Sequence, residues 1–218
     1  MIDLHTHTIF SDGELIPAEL IRRAKFAGYK AIGISDHVDE TNLEFVLKSI
    51  LPIKKKYALH MGIEVFIGVE LTHVSPDLIP ECTELARKNG AEYVIVHGET
   101  IVEPVARGTN LAALQARVDI LAHPGLITVE EVKLAAELGV FLEITTRKGH
   151  SYTNGHVARL ALEHGARLII NNDAHAPGDL VSQEMRKKIA LGSGLDQRQW
   201  IEAEKNSEAL VQKMLNNR

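Results

Sequence analysis

The chain reads as an α/β protein built from repeated βα units that close into a barrel. Two patterns predict this. Short runs rich in Ile and Val alternate with longer segments of helical periodicity, as in βα units wound around a parallel sheet. The runs also break off, again and again, at a side chain able to bind metal: DLHTH, ISDH, IGVE, VIVH, ILAH and IINNDAH. At 218 residues, with 45% hydrophobic and 24% charged residues, the chain is long enough for a single domain, 1–218, with a full core.

Seven strands are predicted, at 2–4, 31–35, 65–69, 93–96, 120–122, 140–144 and 168–170. Their near-continuous apolar character suits strands buried on both faces. Between them, PAELIRRAKFAG places Pro17 at a first helical position and Gly28 at the stop. LITVEEVKLAAELG carries a capping box, Thr128 with Glu131, and ends at Gly139; TNGHVARLALEHG ends at Gly165. A long helix is expected from 42 to 60, its Lys54–Lys56 run facing solvent. Two more, near 180–190 and 197–215, should cover the barrel or close its last gap, with Trp200 in the core or at a subunit contact.

The composition excludes several partners. A net charge of −5 gives no general attraction to nucleic acid or anionic membrane, and 5% aromatic residues leave little for base stacking. The single cysteine, Cys82, cannot form an internal disulfide. MIDLHTH has neither the basic flank nor the long apolar stretch of a signal peptide, and no run reaches membrane-spanning length. The expectation is a soluble cytoplasmic protein whose oligomeric state is open.

Nine ligand-capable residues fall at the carboxyl ends of the strands or in the adjoining loops: His5, His7, Asp12, His37, Glu70, His97, His123, Asp173 and His175. That is the end at which βα barrels carry their sites. In an extended segment His5 and His7 share a face. A single histidine at a strand end is ordinarily a hydrogen-bonded one, but packing gives no reason for the pattern to recur at one rim. Only the sixth strand, in VFLEITTRKGH, is read as offering cations instead of a ligand. Imidazole and carboxylate without thiolate suit Zn²⁺, Mn²⁺ or Fe²⁺, and so many nitrogens disfavour Ca²⁺.

The ordered set DLHTHTIFSDG, SDH, GVE, VHGE, AHPG and NDAH resembles the PHP (polymerase and histidinol phosphatase) superfamily of metal-dependent phosphoesterases, over residues 1–177. The resemblance implies a distorted seven-stranded (β/α) barrel and two or three divalent transition metals. It gives His5, His7, Glu70 and Asp173 to one metal, a bridging Glu70 with His97 and His123 to a second, and Asp12, His37 and His175 to a third. Some relatives carry histidine where Asp12 stands.

The implied activity is hydrolysis of a small phosphomonoester, histidinol-phosphatase-like, by metal-activated hydroxide. The alternatives are a nucleotide or short-oligonucleotide phosphodiesterase and a non-catalytic scaffold. Arg147 and Lys148 after the sixth strand, and Arg107 in GETIVEPVARGTN, are the candidate substrate contacts, each weighed against a surface role. His73, His150, His156 and Glu99 have open roles. His60 and His164 fall near helix C-termini and receive no chemistry.

Overall fold

The computed structural model describes residues 1–217, the side chains of 55–59 excepted. Eight strands form one all-parallel sheet: β1 (Ile2–Asp3), β2 (Ala31–Ile34), β3 (His37–Val38), β4 (Glu64–Leu71), β5 (Tyr93–His97), β6 (Ile120–Ala122), β7 (Phe141–Thr145) and β8 (Leu168–Asn171). Seven run in the order β1-β2-β4-β5-β6-β7-β8, and the two-residue β3 adds to the edge of β4. The helices are α1 (Pro17–Phe26), α2 (Leu43–Met61), α3 (Ile79–Lys88), α4 (Thr109–Gln115), α5 (Val129–Leu138), α6 (Asn154–His164), α7 (Gln183–Gly192) and α8 (Gln197–Asn216). Every predicted strand is present, with ends moved by one or two residues.

The local signals act as their chemistry requires. Thr128 and Glu131 form the reciprocal capping box of α5, while Gly139 and Gly165 cap α5 and α6 in the left-handed conformation. The Lys54–Lys56 run is only partly as expected. Lys54 is half-buried and turns inward to pair with Glu92 at 2.5 Å; the side chains of Lys55 and Lys56 lie outside the described residues.

Alternate strand residues point inward, and Leu4, Phe66, Tyr93, Ile95, Phe141 and Ile169 fill the barrel interior. The Tyr93 ring fits because glycines stand beneath it, Gly68 on the neighbouring β4 and Gly33 one strand farther on β2. A Cβ on Gly68 would stand 2.5 Å from that ring, and one on Gly33 would meet its hydroxyl. From α8, Leu210, Val211 and Met214 join the same cluster. The last helix therefore completes the interior core as well as packing on β8 and β1.

The barrel is nearly closed. Between β1 and β8 the backbone ladder gives way to a single bridge, Thr6 with Ala174, and side chains bond the rest of the seam. Asp3 Oδ1 accepts from the Asn172 and His5 amides at 3.1 Å each, and Asn171 Oδ1 accepts from the Leu4 amide at 3.0 Å. Arg186 of α7, wholly buried, donates through Nη2 to the carbonyls of Ile2 and Ile170 and through Nε to Glu204 at 2.6 Å. Trp200 is 9% exposed and belongs to the outer core, with Lys187 over its ring. Among the described residues no helix is long and apolar enough to cross a membrane.

Candidate metal centre

The carboxyl ends of the strands converge on a cavity of about 520 Å³, walled by Asp12, His37, His97, His150, Asp173 and His175 among others. Glu70, fully buried at the end of β4, stands beneath its floor. His5 Nε2 lies 3.2 Å from Glu70 Oε2, His7 Nε2 3.5 Å, and His37 Nδ1 2.9 Å, the last brought there because β3 sets His37 in register with Glu70. His123 Nε2 is 3.7 Å from the other oxygen, Oε1. Asp173 faces the same group from β8's end: Oδ1 is 3.3 Å from His7 Nε2 and 3.6 Å from His5 Nε2, and Oδ2 is 3.6 Å from His123 Nε2.

Farther toward the mouth, Asp12 Oδ1 lies 3.1 Å from His175 Nε2 and 3.5 Å from His37 Nε2. All nine sequence-predicted residues thus come together. Four overlapping sets place their ligand atoms within 4.8 Å of one another: His5, His7 and Glu70; His5, His123 and Asp173; His7, Asp12, His37 and His175; His97, His123 and His150.

The donors fit cations. His5 Nε2, both ring nitrogens of His7 and of His123, Asp173 Oδ1 and Glu70 Oε1 are buried with no hydrogen-bond partner. A buried polar group in that state costs roughly 1–3 kcal/mol, so a cluster of them calls for a ligand from outside the chain. Ligands at about 2.1 Å from a tetrahedral cation stand about 3.4 Å apart, and several of the separations here match that spacing. His123 and Asp173 also hold left-handed backbone, φ +25° and +54°, a conformation uncommon outside glycine that clusters at functional sites.

The electrostatics are those of charge packed into low dielectric. Burial works against a charged His5, yet Glu143, Glu70 and Asp173 raise its pKa well above the usual value. Burial, with His37 adding, pushes His7 well below the usual value, and burial with His97 does the same to His123. Glu70 stays ionised against its burial because His5 and His37 hold its carboxyl far below the ordinary range. Burial, opposed by His5 and reinforced by Glu70, lifts Asp173 to about 7.

The comparisons with known proteins fit this geometry. The PHP domain family model matches residues 3–162. The chain belongs to the PHP family. An uncharacterised protein of Methanocaldococcus jannaschii is 49% identical over 195 residues, covering 88% of this chain and 89% of its own. A protein of Thermoanaerobacter sp. strain X514, named a probable phosphatase, is 28% identical over 220 residues, covering 89% of this chain and 87% of its own. Among solved structures, an amidohydrolase superposes with TM-score 0.64 at 14% identity, over 99% of this chain and 74% of its own. Aspergillus niger ochratoxinase gives 0.61 at 12% identity, over 96% and 70%. At such identities the likeness is one of fold.

Several residues of this PHP chain escape sequence reasoning. The sixth barrel strand, read as supplying only cations, also supplies Glu143, wholly buried, whose Oε2 lies 2.8 Å from His5 Nδ1. That bond leaves His5 Nε2 as the nitrogen facing Glu70 and Asp173. The signal was present: an acid inside a buried strand is costly unless it has a partner. Asp36 is a second case. It accepts from the Thr8 amide at 2.6 Å, the Thr8 hydroxyl at 2.8 Å and the Ser11 hydroxyl at 2.7 Å, and so folds the first loop that carries Asp12.

Glu103 is a third. Its carboxylate lies 3.2 Å from His97, 3.3 Å from His150 and 3.4 Å from His73. The His97 interaction, outweighing partial burial, holds it down at about 2.

The remaining candidates divide. Arg147 borders the cavity, with Nη1 3.2 Å from Asp179 Oδ2 and Nε 3.9 Å from Asp173 Oδ2. Lys148 and Arg107 are exposed and stand outside the cavity lining, because their loops turn them to solvent. Glu99 caps the approach to α4, accepting from the amides of Gly108 at 2.9 Å and Asn110 at 3.0 Å, and touches no ligand imidazole through these bonds. His156 bonds the Ile127 carbonyl at 2.8 Å.

Proposed function

We propose that this PHP protein is a metal-dependent phosphoesterase that hydrolyses small phosphomonoesters, with two or three divalent transition metals, Zn²⁺, Mn²⁺ or Fe²⁺, as cofactors. The observation that carries the reading is the convergence of nitrogens and oxygens around Glu70, those of His5, His7, His123, Asp173 and Glu70 including buried atoms without hydrogen-bond partners. Relatives named probable phosphatases support the reaction class. Bound cations would supply Lewis-acid neutralisation of the phosphoryl oxygens and water activated near neutral pH.

The chain's own residues would do the rest. His5, His7, Glu70 and Asp173 would hold one cation; Glu70, bridging, with His97 and His123 a second; Asp12, His37 and His175 a third. Glu143 keeps His5 in the tautomer that presents Nε2. Thr72 Oγ1, 2.6 Å from His37 Nδ1, steadies that ring. Arg147, fixed by Asp179 at the mouth, would donate to a phosphate oxygen. A cavity of about 520 Å³ with a mainly polar wall suits a small phosphorylated metabolite, histidinol phosphate being one such ester, and the net charge of −5 argues against long nucleic acid.

The test is a panel of phosphomonoesters, phosphodiesters and nucleotides assayed with each metal. Hydrolysis of monoesters is expected, and activity confined to diesters would replace this substrate class. Replacing Arg147 by Ala should raise KM or lower kcat by roughly tenfold, the worth of a charged hydrogen bond, with metal content kept. Unchanged kinetics would remove Arg147 from the site.

A further inference from the structure

His150 borders the cavity, and neither sequence nor family likeness supplies a role for it. It opens the short 3₁₀ turn after β7 and is 8% exposed. Its Nδ1 lies 2.9 Å from Thr100 Oγ1, which leaves Nε2 for the cavity. The ring stacks on His123 with centroids 4.2 Å apart and meets His97 nearly edge-on at 5.6 Å.

We infer that His150 is a third imidazole ligand of the cation that His97 and His123 hold, a deepening that rests on the metal-centre reading above. Three buried rings each bring a nitrogen to within 4.8 Å of the others. His97 and His150 are also oriented alike: His97 Nδ1 faces the Gly98 carbonyl at 3.2 Å as His150 Nδ1 faces Thr100, so both turn Nε2 inward. Tying one ring nitrogen and turning the other into the site is how ligand histidines are set. Both inward nitrogens face one carboxylate, Glu103, whose Oε1 is 3.3 Å from His150 and whose Oε2 is 3.2 Å from His97.

The loops are built to deliver this arrangement. Thr100 is 5% exposed, and a Cβ on Gly125 would run into the Glu99 carbonyl, so the loops after β5 and β6 touch just where Thr100 must be held. With three neutral imidazoles the site favours a borderline transition metal over Mg²⁺ or Ca²⁺. If His150 served only to brace Thr100 against Glu103, metal affinity would not depend on it.

The experiment strips the full-length protein with a chelator and titrates Zn²⁺ back against a chromophoric competitor, for wild type, His150→Ala, His150→Gln and a reference, His97→Ala. Both His150 variants should bind one equivalent at least about tenfold more weakly, the lower end of what even a partner of a ligand contributes, and keep the remaining equivalents. Wild-type affinity for every equivalent in a folded His150 variant, with His97→Ala losing one, would overturn the inference and leave the metal centre standing. No loss in His97→Ala either would overturn the metal-centre reading as well. The unaltered protein gives an independent check. Zn²⁺ should shield His150 from carbethoxylation, read by peptide mass spectrometry, and equal modification with and without Zn²⁺ contradicts ligation.

Discussion

The β1–β8 seam and the barrel mouth bury polar groups in opposite ways. Along the seam, Arg186 is as buried as any leucine in the core, yet its Nη2 and Nε reach two strand carbonyls and Glu204, and Asp3 and Asn171 accept backbone amides. Only scattered atoms there, such as Arg186 Nη1 and Asp3 Oδ2, go without a partner. At the mouth the unpartnered atoms are concentrated on His5, His7, His123, Glu70 and Asp173. The seam is polar because a barrel with one incomplete ladder needs side chains to finish it. The mouth is polar because its groups are arranged for something the chain does not contain.

Variants in the two regions should therefore fail differently. The largest effect is expected at the seam. Arg186→Ala would leave Glu204 without its cation and two carbonyls without a donor, costing about 3–5 kcal/mol in urea denaturation, while the folded fraction keeps its metal-binding capacity. A loss below about 1 kcal/mol would break the distinction drawn here. Next is Glu70→Gln, which should lower kcat/KM by about 100-fold or more, as even a ligand's supporting partner is worth up to that much, and release at least one metal equivalent. Full activity would mean that Glu70 does not bridge.

Glu143→Gln tests the supporting layer of the mouth. With His5 no longer held by a carboxylate, affinity for one cation should fall by roughly 10–100-fold in the same competition titration, without loss of fold. The smallest effect is expected from the barrel interior: Gly68→Ala presses a methyl against Tyr93 and should cost about 1–3 kcal/mol in thermal or chemical unfolding. Metal affinity should not change. A change would show that interior packing and mouth geometry are coupled.

The seven barrel strands and the convergence of the nine candidate residues were legible because both rest on short-range rules: an apolar run makes a buried strand, and the residue that ends it sits at the carboxyl rim. What escaped depended on distance along the chain. Glu143 meets His5 across 138 residues, and nothing in VFLEITTRKGH names its partner. Glu103 sits in a loop whose path is fixed by Glu99, which bonds the amides of Gly108 and Asn110. Arg186 was invisible because an arginine on an amphipathic helix ordinarily faces water, and only the incomplete ladder between β1 and β8 draws it inside. Arg107 and Lys148, weighed from the sequence between substrate contact and a surface role, are exposed and outside the cavity wall.

The most direct test of the account is metal content, measured by elemental analysis after dialysis against Zn²⁺ or Mn²⁺, on wild type and Glu70→Gln side by side with phosphomonoesterase assays. Two or three equivalents per wild-type chain are predicted, with at least one lost in the variant and activity that disappears on chelation and returns with metal. Fewer than one equivalent in wild type, with no hydrolysis under any metal, would contradict it and leave a barrel whose converging imidazoles serve some other end.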